Sequence, residues 1–97
     1  MTLDDFQQLI DRMYGSKDRV RGPAGTFLWL SEEVGELAAA IGEGTKEEQA
    51  AEFADVIAWL TTLANVLEIN LTEAIQAKYG GGCPGCGKYV CTCNEKP

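Results

Sequence analysis

The stretch that decides the fold is LWLSEEVGELAAAI, residues 28–41. Apolar residues recur here every three or four positions, which is the spacing of one face of an α-helix. With the preceding phenylalanine, the apolar face comprises Phe27, Leu30, Val34, Leu37 and Ile41. Gly42 and Gly44 predict the end of the helix, because glycine tolerates the left-handed backbone of a helix terminus. We therefore predict a helix from about Thr26 to Ile41.

The same periodicity predicts a helix at the start of the chain. Thr2 and Asp5 form a plausible capping pair, and the apolar face that follows comprises Leu3, Phe6, Leu9, Ile10 and Met13. Residues 15–25, GSKDRVRGPAG, separate this helix from the next. They carry three of the eight basic residues and the turn-forming Gly22-Pro23 pair. We predict a loop there.

Two more helices follow residue 44. The TKEE capping box predicts that the third helix opens at Thr45, and its apolar face continues to about Leu67. A short fourth helix is predicted from Asn70 to Lys78. No segment alternates with period two, so we predict an all-α fold, an antiparallel bundle of about four helices that oligomerises. The helical domain is expected over residues 1–79, with a glycine hinge and a metal-binding tail over residues 80–97.

Composition and charge indicate which kinds of partner to expect. The net charge is −7 and the pI about 4.4, whereas nucleic acids and anionic membranes attract proteins with a surplus of Lys and Arg, so we expect neither as a partner. The N-terminus lacks the basic and apolar regions of a signal peptide, and the longest uncharged run, residues 56–67, is too short to cross a bilayer. We expect a cytoplasmic protein. A chain of 97 residues buries little surface alone, which favours a homodimer or homotetramer.

Acidic residues form matching strips beside the apolar faces of the second and third helices. At roughly 100° per residue, the strips comprise Trp29, Glu33, Glu36 and Ala40 on one helix and Glu48, Glu52, Asp55 and Trp59 on the other. The spacings are mirrored, Trp-x3-Glu-x2-Glu and then Glu-x2-Asp-x3-Trp, and the short connection makes the helices antiparallel neighbours. We therefore expect Glu36 to face Glu52 and Glu33 to lie near Asp55, with the two tryptophans at the same end.

Carboxylates gathered in this way repel one another and resist desolvation unless a positive charge lies between them. Neither strip contains Lys, Arg or His. Oxygen ligands alone suit Mg²⁺ or Mn²⁺. Acidic residues are also common on solvated helix faces and near helix starts. The second pair, in mirrored order on the adjacent helix, favours a metal site over a solvated face.

These residues carry a resemblance to a known family. LWLSEEVGELAAAI followed by EEQAAEFADVIAWLTTLANVLEINLTEAIQAKY resembles the MazG-type nucleotide pyrophosphohydrolases of the all-α NTP pyrophosphatase superfamily. The family motif E-E-x-x-E, a gap, then E-x-x-D reads here Glu32-Glu33-Val34-Gly35-Glu36, fifteen residues, then Glu52-Phe53-Ala54-Asp55. The resemblance spans roughly residues 3–79.

The resemblance implies hydrolysis of a nucleoside triphosphate between its α and β phosphates, giving the monophosphate and pyrophosphate. It implies that Mg²⁺ (or Mn²⁺) is held by Glu33, Glu36, Glu52 and Asp55. Glu32 and Glu33 are the expected catalytic residues, with Glu32 assisting a second metal or orienting water.

Candidate substrate-binding residues lie around this motif. The tryptophans are either core residues or base-stacking platforms, and Trp29 is the better candidate for a base pocket. Lys17, Arg19 and Arg21 are candidates to close over phosphates, although a solvated loop is the simpler and favoured interpretation. Lys78 matches a lysine that the family often carries after its last helix. Family members often continue with Asn and Arg, whereas this chain continues KYGGGCPGC, which puts the phosphate contacts and the substrate range in doubt.

All four cysteines lie in the tail CPGCGKYVCTC, at Cys83, Cys86, Cys91 and Cys93. Four thiolates suit a closed, structural Zn²⁺ site, and C-P-x-C-G is a zinc-knuckle turn in which the Gly87 amide can approach a bound sulfur. Disulfides, free thiols and an iron–sulfur centre are the alternatives, and a reducing compartment disfavours the disulfides.

Two other functions compete with the leading one. A non-enzymatic helical adaptor would use the zinc knuckle as its interaction module and the glutamates as solvated surface. An enzyme of the same fold would act instead on a dUTP-, dCTP- or phosphoribosyl-ATP-like substrate, since the acidic motif binds phosphates and leaves the base to other residues.

Overall fold

The computed structural model describes residues 1–95, and the last two residues of the predicted tail lie outside this range. Three helices are present: α1 Leu3–Glu43, α2 Lys46–Val66 and α3 Leu71–Tyr79. No strand occurs among the described residues, which confirms the all-α prediction. Within this part of the chain no single helix is long and apolar enough to cross a membrane. Taken together, α2 and α3 have sufficient length and apolar composition, but a bend of 99° separates them.

The predicted loop over residues 15–25 is wrong. α1 continues through it, and only Gly22 leaves helical geometry, with φ 80° and ψ 175°. Pro23 follows directly, and proline is tolerated in the first turn of a helix, where its missing N–H removes no intrahelical bond. The two predicted N-terminal helices are therefore one kinked helix, which explains why the bundle has three helices instead of four.

The helix ends follow the predicted capping residues. Thr2 and Thr45 each form a complete capping box, and the Asn70 side chain accepts from the Glu73 backbone N–H. α1 ends two residues beyond the predicted Ile41. Gly44 caps it in an extended conformation, φ −85° and ψ 164°, instead of the left-handed one expected.

α1 and α2 pack antiparallel. The Gln49 amide on α2 contacts the Ala40 carbonyl near the connection, and Asn65 at the far end of α2 bonds Gln7 near the start of α1. The contacts thus run in opposite order along the two helices. α3 packs on α1.

Gln7 joins the start of α1 to the end of α2 and the start of α3. Its Nε2 donates to Asn65 Oδ1 at 3.0 Å and to the Ile69 carbonyl at 2.7 Å, while its Oε1 accepts from the Leu71 backbone N–H at 2.9 Å. The Asn65 amide donates back to the Gln7 carbonyl. A buried polar side chain with its hydrogen bonds satisfied fixes the position of the elements that it links.

The apolar core of the single chain is small. Its fully buried apolar residues are Ile10, Leu30 and Ala64. Most of the predicted apolar face on the second half of α1 is exposed, with Val34 at 50% and Ile41 at 60%, and Phe53, Ile57 and Leu60 on α2 are about half exposed. The helical periodicity was therefore predicted correctly, but much of the apolar face has no partner within one chain.

Candidate functional site

Three carboxylates meet where the second half of α1 faces α2. Glu33 and Glu36 come from α1 and Glu52 comes from α2, and each contributes a carboxylate oxygen to a set in which all the oxygens lie within 4.8 Å of one another. We call these residues the acidic cluster. Asp55 lies one helical turn beyond Glu52, and its charge is felt at both Glu33 and Glu52. The expected approach of Glu36 to Glu52 is present, whereas Asp55 acts on Glu33 through its charge and lies outside the three-carboxylate set.

Burial and mutual repulsion perturb this cluster. Desolvation, followed by the negative charges of Glu36, Asp55 and Glu52, raises the pKa of Glu33. Desolvation, followed by the charges of Glu36 and Asp55, raises the pKa of Glu52. Both effects penalise the ionised form. Glu33 and Glu52 thus hold their protons more tightly than isolated glutamates do when no cation neutralises them.

Two oxygens of the cluster lack partners. Glu33 Oε2 and Glu52 Oε2 are buried and accept no hydrogen bond from any described residue. The ion pairs in residues 1–95 involve Asp11 and Asp18, and none includes a member of the cluster. Buried oxygens without donors, in a donor set made only of carboxylates, fit a hard divalent cation such as Mg²⁺.

Aromatic and basic side chains lie beside the acidic cluster. Trp29 and Trp59 stack with ring centroids 5.9 Å apart and planes 18° apart, at the same end of the helix pair as expected. The Arg21 guanidinium carbon lies 5.0 Å from the Trp59 ring centroid, within the range of a cation–π interaction. The two rings pack on each other, and one of them also packs on a cation.

A cavity of about 370 Å³ opens next to this stack, and we call it the aromatic cavity. It is lined by Ile10, Tyr14, Lys17, Asp18, Arg21, Asp55, Ala58, Trp59 and Thr62. Asp55 connects it with the acidic cluster. Its size falls within the roughly 300–1,000 Å³ of small-molecule pockets.

A second cavity, of about 510 Å³, lies on the other side of the cluster. Glu36 and Glu52 line it, together with Glu43 and Glu48. Its charged lining residues, among those the structure describes, are all acidic. The acidic cluster therefore stands between a cavity with cationic and aromatic walls and one with acidic walls.

The other candidate site residues occupy separate places. Glu32 is exposed and lies outside the three-carboxylate set. Arg19 forms an ion pair with Asp11 at 2.7 Å and lines a different cavity. The Lys78 ammonium lies 5.8 Å from the Tyr79 ring centroid on α3. Of the three basic residues between positions 15 and 25, Lys17 and Arg21 reach the aromatic cavity.

Sequence reasoning missed Asp18. It is 2% exposed and bonds Arg21 at 3.1 Å, and Arg21 also donates to the Thr26 hydroxyl at 3.3 Å across the kink. The available signal was the i, i+3 spacing of Asp18 and Arg21, which is that of an intrahelical ion pair. Assigning this segment to a loop concealed it.

The four cysteines of the tail converge. Their sulfurs lie within 4.8 Å of one another, and Cys83 Sγ is 3.5 Å from Cys91 Sγ and 3.9 Å from Cys93 Sγ. All four are free thiols. Zinc–sulfur bonds of about 2.3 Å in a tetrahedron place the sulfurs about 3.8 Å apart. The thiols are thus arranged at the spacing of a tetrahedral thiolate site.

Backbone N–H groups surround these sulfurs. Hydrogen bonds from the Thr92 and Lys88 backbones lower the pKa of Cys86 to about 6, and the Cys93 N–H donates to Cys91 Sγ at 3.3 Å. The Gly87 N–H instead donates to the Cys83 carbonyl at 2.7 Å, so the predicted approach of Gly87 to a sulfur is wrong. The turn directs other amides to Cys86 and Cys91, which favours their thiolate form. The hydrogen bond between the Cys91 and Cys93 side chains instead raises the pKa of Cys93 to about 11.

These features define an all-helical domain with an acidic cluster between paired helices. A sequence model of the MazG nucleotide pyrophosphohydrolase domain matches residues 21–84. The match covers more than half of the 97 residues, and the chain belongs to the MazG nucleotide pyrophosphohydrolase family. Comparison with curated proteins gives no match.

Proposed function

We propose that the protein is a Mg²⁺-dependent nucleoside triphosphate pyrophosphohydrolase that clears surplus or non-canonical nucleotides. One water is consumed in breaking the anhydride linkage between the α and β phosphates, and the products are the nucleoside monophosphate and pyrophosphate. Membership of the MazG family supports this reaction. The observation that carries the proposal is the acidic cluster with its two buried oxygens that lack donors.

The acidic cluster supplies the ligands. Glu33, Glu36 and Glu52 would hold Mg²⁺, with Asp55 completing the set from the side of the aromatic cavity. When bound, Mg²⁺ supplies positive charge to the phosphate oxygens and makes a coordinated water more acidic. Carboxylate oxygens are the kind of ligand that Mg²⁺ prefers in proteins. Mn²⁺ offers the same chemistry in this donor set.

The residues around the cluster are proposed to orient water and to bind the phosphates and the base. Glu32, the exposed neighbour of Glu33 on α1, is proposed to orient the attacking water or to assist a second metal. Lys17 lines the cavity that Asp55 borders, so its charge is available to the triphosphate. Arg21 lines the same cavity but already bonds Asp18 and Thr26. Trp29 supports the base side through its stack with Trp59. Arg19 and Lys78 have weaker support as phosphate contacts because each already has a neighbour elsewhere.

A second metal is proposed for the tail. Zn²⁺ would be held by Cys83, Cys86, Cys91 and Cys93 in a closed structural site. The support is the sulfur spacing and the amides directed to the sulfurs. Four protein ligands leave no open position for catalysis.

Oligomerisation completes the proposal. The half-exposed apolar residues of both long helices, among them Val34, Phe53 and Ile57, form a surface that self-association would cover. We propose a homodimer or homotetramer acting in the cytoplasm, without nucleic acid or membrane as partner.

The central experiment measures pyrophosphate release from a panel of nucleoside triphosphates with Mg²⁺. Glu36→Gln and Asp55→Asn should each lower kcat by at least about 100-fold, because one ligand charge is lost where charge develops in the transition state, while the far-UV circular dichroism spectrum stays helical. Glu47→Gln, an exposed change at the start of α2 outside the cluster, is the matched control and should retain full activity. Release of orthophosphate, or unchanged rates in the cluster variants, would refute the proposal. Inactivity of the wild-type chain on every triphosphate would favour the adaptor.

A further inference from the structure

We propose that Asp18 is a specificity-determining residue that accepts a hydrogen bond from the exocyclic amino group of a nucleobase bound in the aromatic cavity. The inference rests on the proposed function and names its substrate class: triphosphates of amino-bearing bases, in preference to their carbonyl counterparts.

The first support is the unequal environment of the two carboxylate oxygens of Asp18. Oδ1 accepts from Arg21, whereas Oδ2 is buried and accepts no hydrogen bond from any described residue. A buried acceptor without a donor costs about 1–3 kcal/mol. Its missing partner must be a donor, because a carboxylate oxygen offers only lone pairs.

The second support is the place of Asp18 in the molecule. It lines the same cavity as Asp55 and Trp59. A triphosphate whose phosphates lie at the acidic cluster thus has its nucleoside end directed toward a space of about 370 Å³. Proteins read the Watson–Crick edge of an unstacked base by hydrogen bonds while aromatic side chains hold its faces, and Tyr14 and Trp59 provide aromatic walls here.

The third support is that Asp18 is held rigidly. The Arg21 guanidinium bonds both Asp18 and the Thr26 hydroxyl and also lies over Trp59. Asp18 and Thr26 are both almost wholly buried. Arg21 and Thr26 are therefore positioning residues, since they fix Oδ1 and leave Oδ2 as the oxygen without a protein donor.

The chemistry distinguishes two kinds of base. Cytosine and adenine carry an amino group beside a ring nitrogen, and carboxylates accept readily from such amino groups. Uracil and hypoxanthine carry a carbonyl at the same position, which would place an oxygen against the buried carboxylate. A site built to accept from N–H rejects the analogue without it, because the buried acceptor is then left unpaired.

The test compares two pairs of triphosphates whose bases carry an amino group or a carbonyl at the same position, with the adjoining ring nitrogen unprotonated in the first and protonated in the second. CTP is compared with UTP, and ATP with ITP, by kcat/KM for pyrophosphate release with Mg²⁺. Whichever pair fits the cavity should show a preference of about 10- to 100-fold for the amino-bearing base. Asp18→Asn presents an N–H donor where Oδ2 was, because its oxygen stays with Arg21, and should reverse the preference toward the carbonyl base.

Asp11→Asn is the matched control. Asp11 lies on the same helix with an arginine partner but lines a different cavity, so its variant should keep the wild-type ratio. A purely structural role for Asp18 would lower all rates together and leave the ratio unchanged.

A binding measurement tests the base preference without requiring turnover. Calorimetric Kd values for the α,β-imido analogues of the same pairs should show the same preference and the same reversal. Equal Kd values within both pairs, or an unchanged ratio in Asp18→Asn, would overturn the inference and leave the proposed reaction intact. Loss of pyrophosphate release from all four triphosphates with the Kd preference retained would refute the reaction and leave the base recognition standing.

Discussion

Glu33 and Glu52 lie on different helices, yet each leaves one buried oxygen without a donor, and each has its pKa raised mainly by desolvation and then by like charge. This relationship across the α1–α2 pair is the source of the proposed metal site. It also makes the pH dependence of folding a direct test of the cluster.

The metal-free protein should lose stability as pH rises through the titration of Glu33 and Glu52. The folded-state pKa of each lies above its ordinary value of 4.5, so the folded chain holds more protons than the unfolded chain between the two values. The free energy of unfolding therefore falls with rising pH in that window. Thermal melts without divalent cations should show this slope, and Glu52→Gln should reduce it.

Glu47→Gln serves as the control for that slope. Asp5, whose pKa is lowered by hydrogen bonds from Thr2, contributes stability that is lost as pH falls, with the opposite sign. Its contribution is the same in wild type and variant, so their difference isolates the cluster. Equal slopes in wild type and Glu52→Gln would contradict the arrangement.

Mg²⁺ should stabilise the fold through the same carboxylates. At tenfold excess over its Kd, a ligand of the native state alone adds about 1.4 kcal/mol, which corresponds to roughly 6–11 °C in Tm for a domain of this size. The shift should be larger at pH 8 than at pH 5, because protons compete for the cluster. Glu33→Gln should greatly reduce the shift. Mg²⁺ titrations followed by differential scanning fluorimetry test this, and an identical shift in the variant would count against the site.

The two arginine–aspartate pairs of α1 should contribute differently to the free energy of unfolding. Arg21→Met leaves the buried Asp18 carboxylate without its cation, and breaking a buried pair costs about 3–5 kcal/mol. Arg19→Met breaks an exposed pair, 51% and 45% accessible, worth under about 1 kcal/mol. Urea denaturation of both variants measures the difference, and similar losses would mean that Asp18 does not depend on Arg21.

Gln7→Ala should destabilise the molecule far more than Gln8→Ala. The first change removes the amide that bonds Asn65, Ile69 and Leu71 and leaves buried groups unpaired, at about 1–3 kcal/mol. Gln8 makes only an exposed bond to Asp4 among the described residues, so its loss should fall within about 0.5 kcal/mol. Hydrogen exchange should show that Gln7→Ala frees the amides of α3 first.

The tail should bind one zinc ion per chain. Inductively coupled plasma mass spectrometry on the purified protein should give a ratio of one, and Cys86→Ser should lower it sharply while the helical signal persists, because the four sulfurs belong to the tail alone. Lys88→Ala, a change between the two cysteine pairs, is the matched control. A ratio near zero in the wild type, with all four thiols titratable, would exclude the zinc site.

Periodicity and capping residues made the helices predictable. The apolar spacing of residues 26–41 and the capping boxes at Thr2 and Thr45 are local signals, and the helices begin where those signals lie. The mirrored acidic spacing anticipated the approach of Glu36 to Glu52 for the same reason, since a short connection leaves little choice of register.

What escaped prediction depends on tertiary contacts. Glycine and proline together predicted a break over residues 15–25, but a single residue absorbs it and the helix resumes at once. Asp18 is buried only because Arg21 folds back to it and to Thr26 across that kink. The i, i+3 spacing of Asp18 and Arg21 indicated only an intrahelical ion pair, and no periodic pattern encodes its burial across the kink.

The backbone conformation of Gly22 sets the relative position of the two halves of α1. Its φ of +80° strains any residue with a side chain, although no atom would lie within 4 Å of an added Cβ. The penalty for replacing it is therefore torsional instead of steric. Asp18 precedes Gly22 and Glu33 follows it. A change in the backbone angles of Gly22 would therefore alter the distance between the proposed base-binding residue and the acidic cluster without replacing any residue of either.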